Sequence, residues 1–405
     1  MLDAYRQVLT VPGARAFTLA GLLLRLPLAM YPVGLVLLAA VGTGDYARGG
    51  LLTAAYIVAG AVGGPLLSSL ADRRGQRAVL LPAALTHAAA VATLVSLAAG
   101  GAPLAAQVAV AGVVGLTFVP VGALVRARWV HALDGGRGEL GTALSLEATL
   151  DEVTFVLGPL VAAALATGVH PAAPFALTAT LVVTGAAVLH LLRSTVPPVH
   201  ERRSRRSQPL PPVTAAVVLI AVAAGVMLVS VDLAAIAFVG QAGQERWTGA
   251  VLACFALGSG VAGFAYGLRS WSSPVERRLA PVGVLFALLP VLLLFATDVV
   301  VLAAVLFVVG TGTAPLLTTV FGVLERITPP ARLTEGFGWV MTGLSLGAGS
   351  AAPVVGAVAD GAGARTALLI PLGASLVAGA VAVATSRRLI GGTRAAELEP
   401  TSRNV

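Results

Sequence analysis

The chain has 405 residues, of which 57% are apolar and 11% charged, and it carries a formal net charge of +8. A soluble domain has about 25% charged residues, so a soluble fold of this composition would expose large apolar patches. The composition excludes an ordinary soluble enzyme and points to a chain whose solvent is lipid.

The first segment, MLDAYRQVLTVPGARAF, is not expected to be a cleavable signal peptide. The apolar run behind it is too long and offers no clear small-residue cleavage site. A helix needs about 20 apolar residues to cross a bilayer. The apolar runs predict twelve spans, at residues 16–40, 50–70, 78–99, 104–125, 140–168, 172–193, 213–239, 247–268, 279–297, 299–324, 334–360 and 365–386. Spans 9 and 10 nearly fuse around Asp298, which makes eleven the competing count.

All 26 basic residues are Arg. Without Lys no Walker-type phosphate loop can form, and no segment between spans is long enough for a nucleotide-binding domain. With the N-terminus in the cytoplasm, 22 of the 26 Arg face inward and three (Arg48, Arg246, Arg365) face outward, while Arg25 is embedded. This bias supports the count of twelve and predicts cytoplasmic termini in a multi-pass cell-membrane protein. The Arg residues sit in short clusters between spans, so no nucleic-acid partner is expected. The lone Cys254 rules out a disulfide within the chain.

The longest polar stretch runs from Arg193 to Pro212 and divides the spans six and six. The expected organisation is a six-helix bundle over 1–193, an Arg- and Pro-rich cytoplasmic linker over 194–212, a second bundle over 213–388, and a disordered tail over 389–405. The halves echo each other at an offset near 195. Val113-Val114-Gly115 with Pro120 matches Val308-Val309-Gly310 with Pro315, Gly63 maps onto Gly258, and Glu139 falls one residue off register with Glu335. Repeated halves are common in transporter folds, with a site at the repeat interface.

Between spans 2 and 3 stands SSLADRRGQR, Ser68 to Arg77. It resembles the loop motif of the major facilitator superfamily, Gly-x-x-x-Asp-Arg-x-Gly-Arg-Arg/Lys. Asp72, Arg73, Gly75 and Arg77 match, while Ser68 replaces the first Gly and Gln76 replaces an Arg. Gly75 permits the tight turn that a short loop needs. The resemblance implies an all-α membrane protein of two pseudo-symmetric six-helix bundles around a central cavity, lined by spans 1, 4, 7 and 10. Pro27 and Pro32, Pro120 and Pro315 lie in three of these four. It also implies a gating loop in which Asp72 meets the start of span 11, Thr334-Glu335-Gly336. In the second half, YGLRSWSSPVERR keeps Arg269 but has no matching Asp. The helix-5 motif of antiporters, Gly-x-x-x-Gly-Pro-x-x-Gly-Gly, is matched by Gly158-Pro159, with Thr154, Ala162 and Ala163 at its other places. The helix-4 Arg of many drug exporters is absent, and Gln107 lies nearby. The resemblance is to bacterial drug and metabolite efflux members.

Arg25, about 14 Å into span 1, is costly in lipid by at least about 2.5–3.5 kcal/mol. Its candidate counter-charges are Glu147 and Asp151 of span 5, which share a helix face at i,i+4. Arg25, Glu147 and Asp151 are the candidates for transport and proton coupling, since a buried carboxyl that trades a proton for an Arg is the basic part of a proton-coupled carrier. The same residues are also readable as a structural ion pair between spans 1 and 5. Glu152 points about 100° from Asp151 and is expected to pack elsewhere. Asp232, late in span 7, and His87, in span 3, are weaker candidates; His87 is expected to be a packed, hydrogen-bonded side chain. No metal spacing, nucleophile triad or cofactor site is present.

The expectation is a monomeric secondary transporter, not an enzyme, working by alternating access and exporting a small amphipathic molecule, drug or metabolite, in exchange for protons. The alternative is an uptake symporter or uniporter for a small organic anion drawn to Arg25. A membrane receptor or enzyme would need clustered catalytic groups or a soluble region, and the sequence has neither.

Overall fold

In a computed structural model, the described residues are 6–41, 44–133, 137–197, 211–269, 271–328 and 333–398. Among them the chain is helical throughout, in twelve spans. The first six are α1 (Ala14–Ala40), α2 (Tyr46–Arg74), α3 (Gln76–Ala99), α4 (Leu104–Leu116 and Val121–Ala132), α5 (Arg137–Gly168) and α6 (Ala173–Leu191). The second six are α7 (Val213–Gln241), α8 (Thr248–Leu268), α9 (Val275–Leu288, continued as a 3₁₀ turn over Leu289–Phe295), α10 (Val299–Gly310 and Thr313–Ile327), α11 (Leu333–Ala362) and α12 (Ala364–Ala367 and Leu369–Leu398).

Eleven of the spans are long and apolar enough to cross a membrane. In α5 the described apolar helix is the shorter segment Val153–Gly168. Large apolar side chains such as Leu66, Phe264, Phe295 and Val300 are exposed. In water that would be an aggregation hazard, and in lipid it is the expected surface.

The chain divides into two compact units, residues 1–204 with 245–249, and residues 205–244 with 250–405. The helix of α12 runs to Leu398, well past residue 388.

The helix interruptions follow local chemistry. Pro27 and Pro32 stay inside an unbroken α1. By contrast α4 opens over 117–120 and restarts from Pro120, and α10 breaks at Thr311-Gly312 with Pro315 in the first turn of its second segment. Proline lacks the donor for an interior turn but is tolerated where a helix begins. Gly75 joins α2 to α3 with φ 84° and ψ 146°, a backbone state that a side chain would strain. The motif glycine is therefore required by geometry.

In the N-terminal unit, Phe17, Tyr31, Tyr56, Phe118, Trp129 and Phe175 belong to one buried core. The α2–α4 crossing is set by glycine. A Cβ built on Gly115 would stand 2.0 Å from the Tyr56 carbonyl oxygen. The C-terminal unit repeats this, with Gly310 at 2.1 Å from the Phe255 carbonyl oxygen. Gly115 and Gly310 are 195 apart, but Tyr56 and Phe255 are 199 apart. The Gly63–Gly258 echo therefore does not join equivalent places: Gly63 meets Leu116 and Gly258 meets Phe307.

Candidate functional site

The α1 helix places Arg25 against α5, where it is 2% exposed. Both candidate carboxylates reach it. Arg25 Nη2 donates to Glu147 Oε2, and Arg25 Nε lies 2.5 Å from Asp151 Oδ1. The i,i+4 spacing sets both acids on the face of α5 that meets α1. A residue at Gly21 would collide with the guanidinium, since a Cβ there would lie 2.9 Å from Arg25 Nη1.

The two carboxylates differ in surroundings. Glu147 is fully buried, and its second oxygen accepts from Trp129 Nε1 at 2.7 Å. Trp129 is itself fixed edge-on against Phe17, with centroids 4.6 Å apart. Asp151 is 30% exposed, and its second oxygen lies 3.4 Å from Nη2 of Arg126, which is 52% exposed. The result is a chain from solvent inward: Arg126, Asp151, Arg25, Glu147, Trp129. With every group ionised the two Arg and two carboxylates cancel, which offsets the cost of burying Arg25. A proton on Asp151 would leave one uncompensated positive charge.

Trp129 and Arg126 were not among the sequence candidates. Both lie in the second segment of α4, where RAR reads as membrane-orienting charge. Their one signal was periodicity: Arg126 and Trp129 are i,i+3 on a helix.

The other candidates stand apart from this cluster. His87 is buried in the aromatic core. Its Nδ1 lies 3.0 Å from Val114 O, which can only accept, so Nδ1 carries the proton and Nε2 accepts from Tyr31 Oη at 2.6 Å. Asp232 is half-buried in α7 and makes no hydrogen bond or ion pair among the described residues. The side chains of Glu152, Asp72 and Glu335 lie outside the described residues. Arg73 is exposed, and Arg77 donates from Nε to His190 O at 3.0 Å.

Gln76, the departure from the loop motif, is buried. Its Nε2 donates to Leu124 O at 3.1 Å and its Oε1 accepts from Arg128 Nε at 2.8 Å. Arg128 is fully buried and also donates to Leu189 O, Leu192 O and Thr195 Oγ1. The sequence reading set Arg128 among the loop charges; the structure makes it the knot that ties α3, α4 and the end of α6. An Arg at position 76 would set two cations together, whereas Gln supplies an acceptor.

Gln107 is structural as well, donating to Ala102 O at 2.9 Å and accepting from Arg48 Nε at 3.3 Å. Gly158 lets α5 approach α1, since a Cβ there would lie 2.5 Å from Ala29 Cβ. Among the described residues no group of three or more His, Cys, Asp or Glu could hold a metal.

Comparison with known proteins agrees with this architecture. Residues 17–264 match the family profile described as Major Facilitator Superfamily. No curated protein matches the chain by sequence. Among solved structures, the nucleoside transporter NupG superposes with a TM-score of 0.70 at 15% identity, over 92% of this chain and 99% of that one. The human organic anion transporter MFSD10 (TETRAN) gives 0.60 at 17% identity, over 92% and 99%. A bacterial homologue of the iron transporter ferroportin, in an inward-facing state, gives 0.64 at 16%, over 92% and 98%. At these identities the likeness is one of fold.

Proposed function

The chain belongs to the Major Facilitator Superfamily, a multi-pass membrane transporter fold, and we propose that it exports a small amphipathic molecule in exchange for protons by alternating access. The observation that supports proton coupling is the asymmetric pair around Arg25. Glu147 is held on two sides and fully buried, while Asp151 is open to solvent and shared between Arg25 and Arg126. Asp151 is the group that can take up a proton and release Arg25, and Glu147 is the fixed anchor that keeps Arg25 from leaving.

Uptake of an organic anion drawn to Arg25 is the weaker reading, because Arg25 already contacts two carboxylates and has little charge left to offer. The Gly75 turn, with Asp72, Arg73 and Arg77, is proposed as the gating element. The cell membrane is the proposed location, with both termini in the cytoplasm, on the strength of the Arg bias.

The test uses inside-out vesicles with an imposed proton gradient and a panel of amphipathic cations, neutral drugs and organic anions. An accepted compound should dissipate the gradient in wild type and fail to do so in Asp151→Asn. Cells lacking the protein should accumulate that compound. Transport at one unchanged rate with and without a pH gradient would exclude proton coupling, and loss of the compound from the deleted cells would reverse the direction.

A further inference from the structure

A cavity of about 840 Å³ opens among α8, α9, α10 and α11 of the C-terminal unit, and no residue of the Arg25 cluster lines it. Tyr266, Arg278, Thr319, Phe321, Glu325 and Phe337 are among its walls. At the matching place in the N-terminal unit the helices close. Val79 is the fourth residue of α3, as Arg278 is the fourth of α9. Leu67 precedes Tyr266 by 199, the offset that also relates Tyr56 to Phe255. Leu67, Val79, Leu80 and Leu124 leave a void of only about 10 Å³ there. The repeat can be packed shut at this point by aliphatic side chains, yet the C-terminal unit leaves it open and sets a cation in it.

Arg278 is held by rings and not by an acid. Its Cζ lies 5.2 Å from the Trp271 centroid and 5.9 Å from that of Tyr266. Arg269 Cζ stands 4.6 Å from the same Trp271 ring. Two guanidinium groups thus share one indole, and among the described residues no carboxylate bonds to either.

The neighbouring acids are Glu276, which pairs with Arg326, and Glu325, which is exposed on the cavity wall. Arg278 Nη1 donates to Tyr266 Oη at 3.4 Å. Thr319 gives its own proton to Pro315 O at 2.7 Å, so Tyr266 donates to Thr319 Oγ1 at 2.9 Å and turns a lone pair toward Arg278. Arg278 Nε is buried and lacks a hydrogen-bond partner among the described residues. Arg278 Nη2 likewise makes no hydrogen bond among the described residues, which leaves a donor unfilled on a guanidinium held at the cavity wall. Phe321 and Phe337, 5.7 Å apart, add an apolar wall.

We propose that this cavity binds a phosphate group through the Arg278 guanidinium, with the attached apolar part packed on Phe321 and Phe337. In a membrane a phospholipid carries both parts, and the two guanidinium groups on Trp271 favour an anionic headgroup over a zwitterionic one. The site is separate from the Arg25 cluster and does not depend on what the protein transports.

The test follows thermal unfolding of the full-length protein in neutral maltoside micelles during titration with dihexanoyl-phosphatidylglycerol, inorganic phosphate or dihexanoylglycerol. Phosphatidylglycerol should stabilise saturably. Arg278→Gln should weaken that apparent affinity at least about tenfold, and exposed Arg277→Gln should leave it unchanged. Saturable stabilisation by inorganic phosphate alone, lost in Arg278→Gln, supports the site and assigns it to the free ion. No saturable effect of either phosphate probe, an effect that survives Arg278→Gln, or an equal effect of dihexanoylglycerol overturns the proposal. Wild type alone also decides: native mass spectrometry should retain phosphatidylglycerol over dihexanoylglycerol, and equal retention sinks the site even if Arg278→Gln fails to fold.

Discussion

The two halves of the chain join the same pair of helices in opposite ways. In the N-terminal unit, α1 meets α5 through Arg25, Glu147 and Asp151. In the C-terminal unit, α7 meets α11 through glycine. Gly343 and Gly347 stand 196 residues beyond Glu147 and Asp151, the offset that also relates Glu139 to Glu335. A Cβ on Gly347 would lie 2.0 Å from Val222 O, and one on Gly225 would lie 2.0 Å from Leu344 O. Backbones in that proximity gain dispersion and weak Cα–H hydrogen bonds without desolvating any charge. A buried ion cluster returns little net stability for the same task. The fold therefore has a cheaper way to close this seam, used in the N-terminal unit at Gly158 but not at the level of Arg25. The charged seam is retained for something other than closure.

That comparison can be broken most sharply at Glu147. Removing it strips Arg25 of its buried partner and orphans the Trp129 donor, so Glu147→Ala should cost about 3–5 kcal/mol. The measurement is the unfolding temperature in detergent, with the folded yield by size exclusion. The triple variant Arg25→Val, Glu147→Gly, Asp151→Gly copies the glycine seam. It should recover most of that stability and still fail to transport. A triple variant that transports normally would reduce the charged seam to a brace.

The next largest effect belongs to the other half. Gly347→Val forces a branched side chain against the Val222 backbone and should cost about 1–3 kcal/mol, with Gly347→Ala falling between. If Gly347→Val unfolds at the wild-type temperature, the helices can separate freely and the contrast between the seams loses its meaning.

Asp151→Asn should be milder in stability, within about 1 kcal/mol, because Asp151 is partly solvated and Arg25 keeps Glu147. Its effect should fall on the pH response of transport. A loss of stability as large as that of Glu147→Ala would show that the two carboxylates are equivalent, contrary to their different burial.

Much of this contrast could be read in the sequence. Twelve apolar runs, the Arg bias and the i,i+4 acids opposite a lone embedded Arg were visible because lipid makes charge rare and therefore informative. Which acid is fixed and which is open was not visible, because that depends on Trp129 and Arg126, brought in from α4 across more than 15 residues of chain. The duplication was legible near Gly115 and Gly310. It was misread at Gly63 and Gly258 because the offset changes from 195 to 199 between α4/α10 and α2/α8, and single glycine matches carry little register information. Arg128 and Arg278 looked like orienting charges, since burial by backbone carbonyls or by aromatic rings has no spacing signature.

The smallest effect tests how far the halves differ at their periphery. Asp298 caps α10, and its carboxylate accepts from Val300 N at 2.9 Å and Val301 N at 3.0 Å. Pro103, 195 residues earlier, begins α4 with no side-chain bond. Hydrogen bonds from the Val301 amide first, and from Thr297 and Val300 with it, hold the Asp298 carboxyl below the usual carboxylate range. The stabilisation is therefore present above the unfolded pKa and is lost as pH falls through the lower folded one. Asp298→Ala should unfold slightly earlier than wild type at neutral pH, and the two unfolding temperatures should converge as pH drops below about 4. A gap that persists unchanged into acid would mean that the carboxylate is not what caps the helix. In that case α10 would start as α4 does, by backbone shape alone, and the halves would differ only where charge enters the interior.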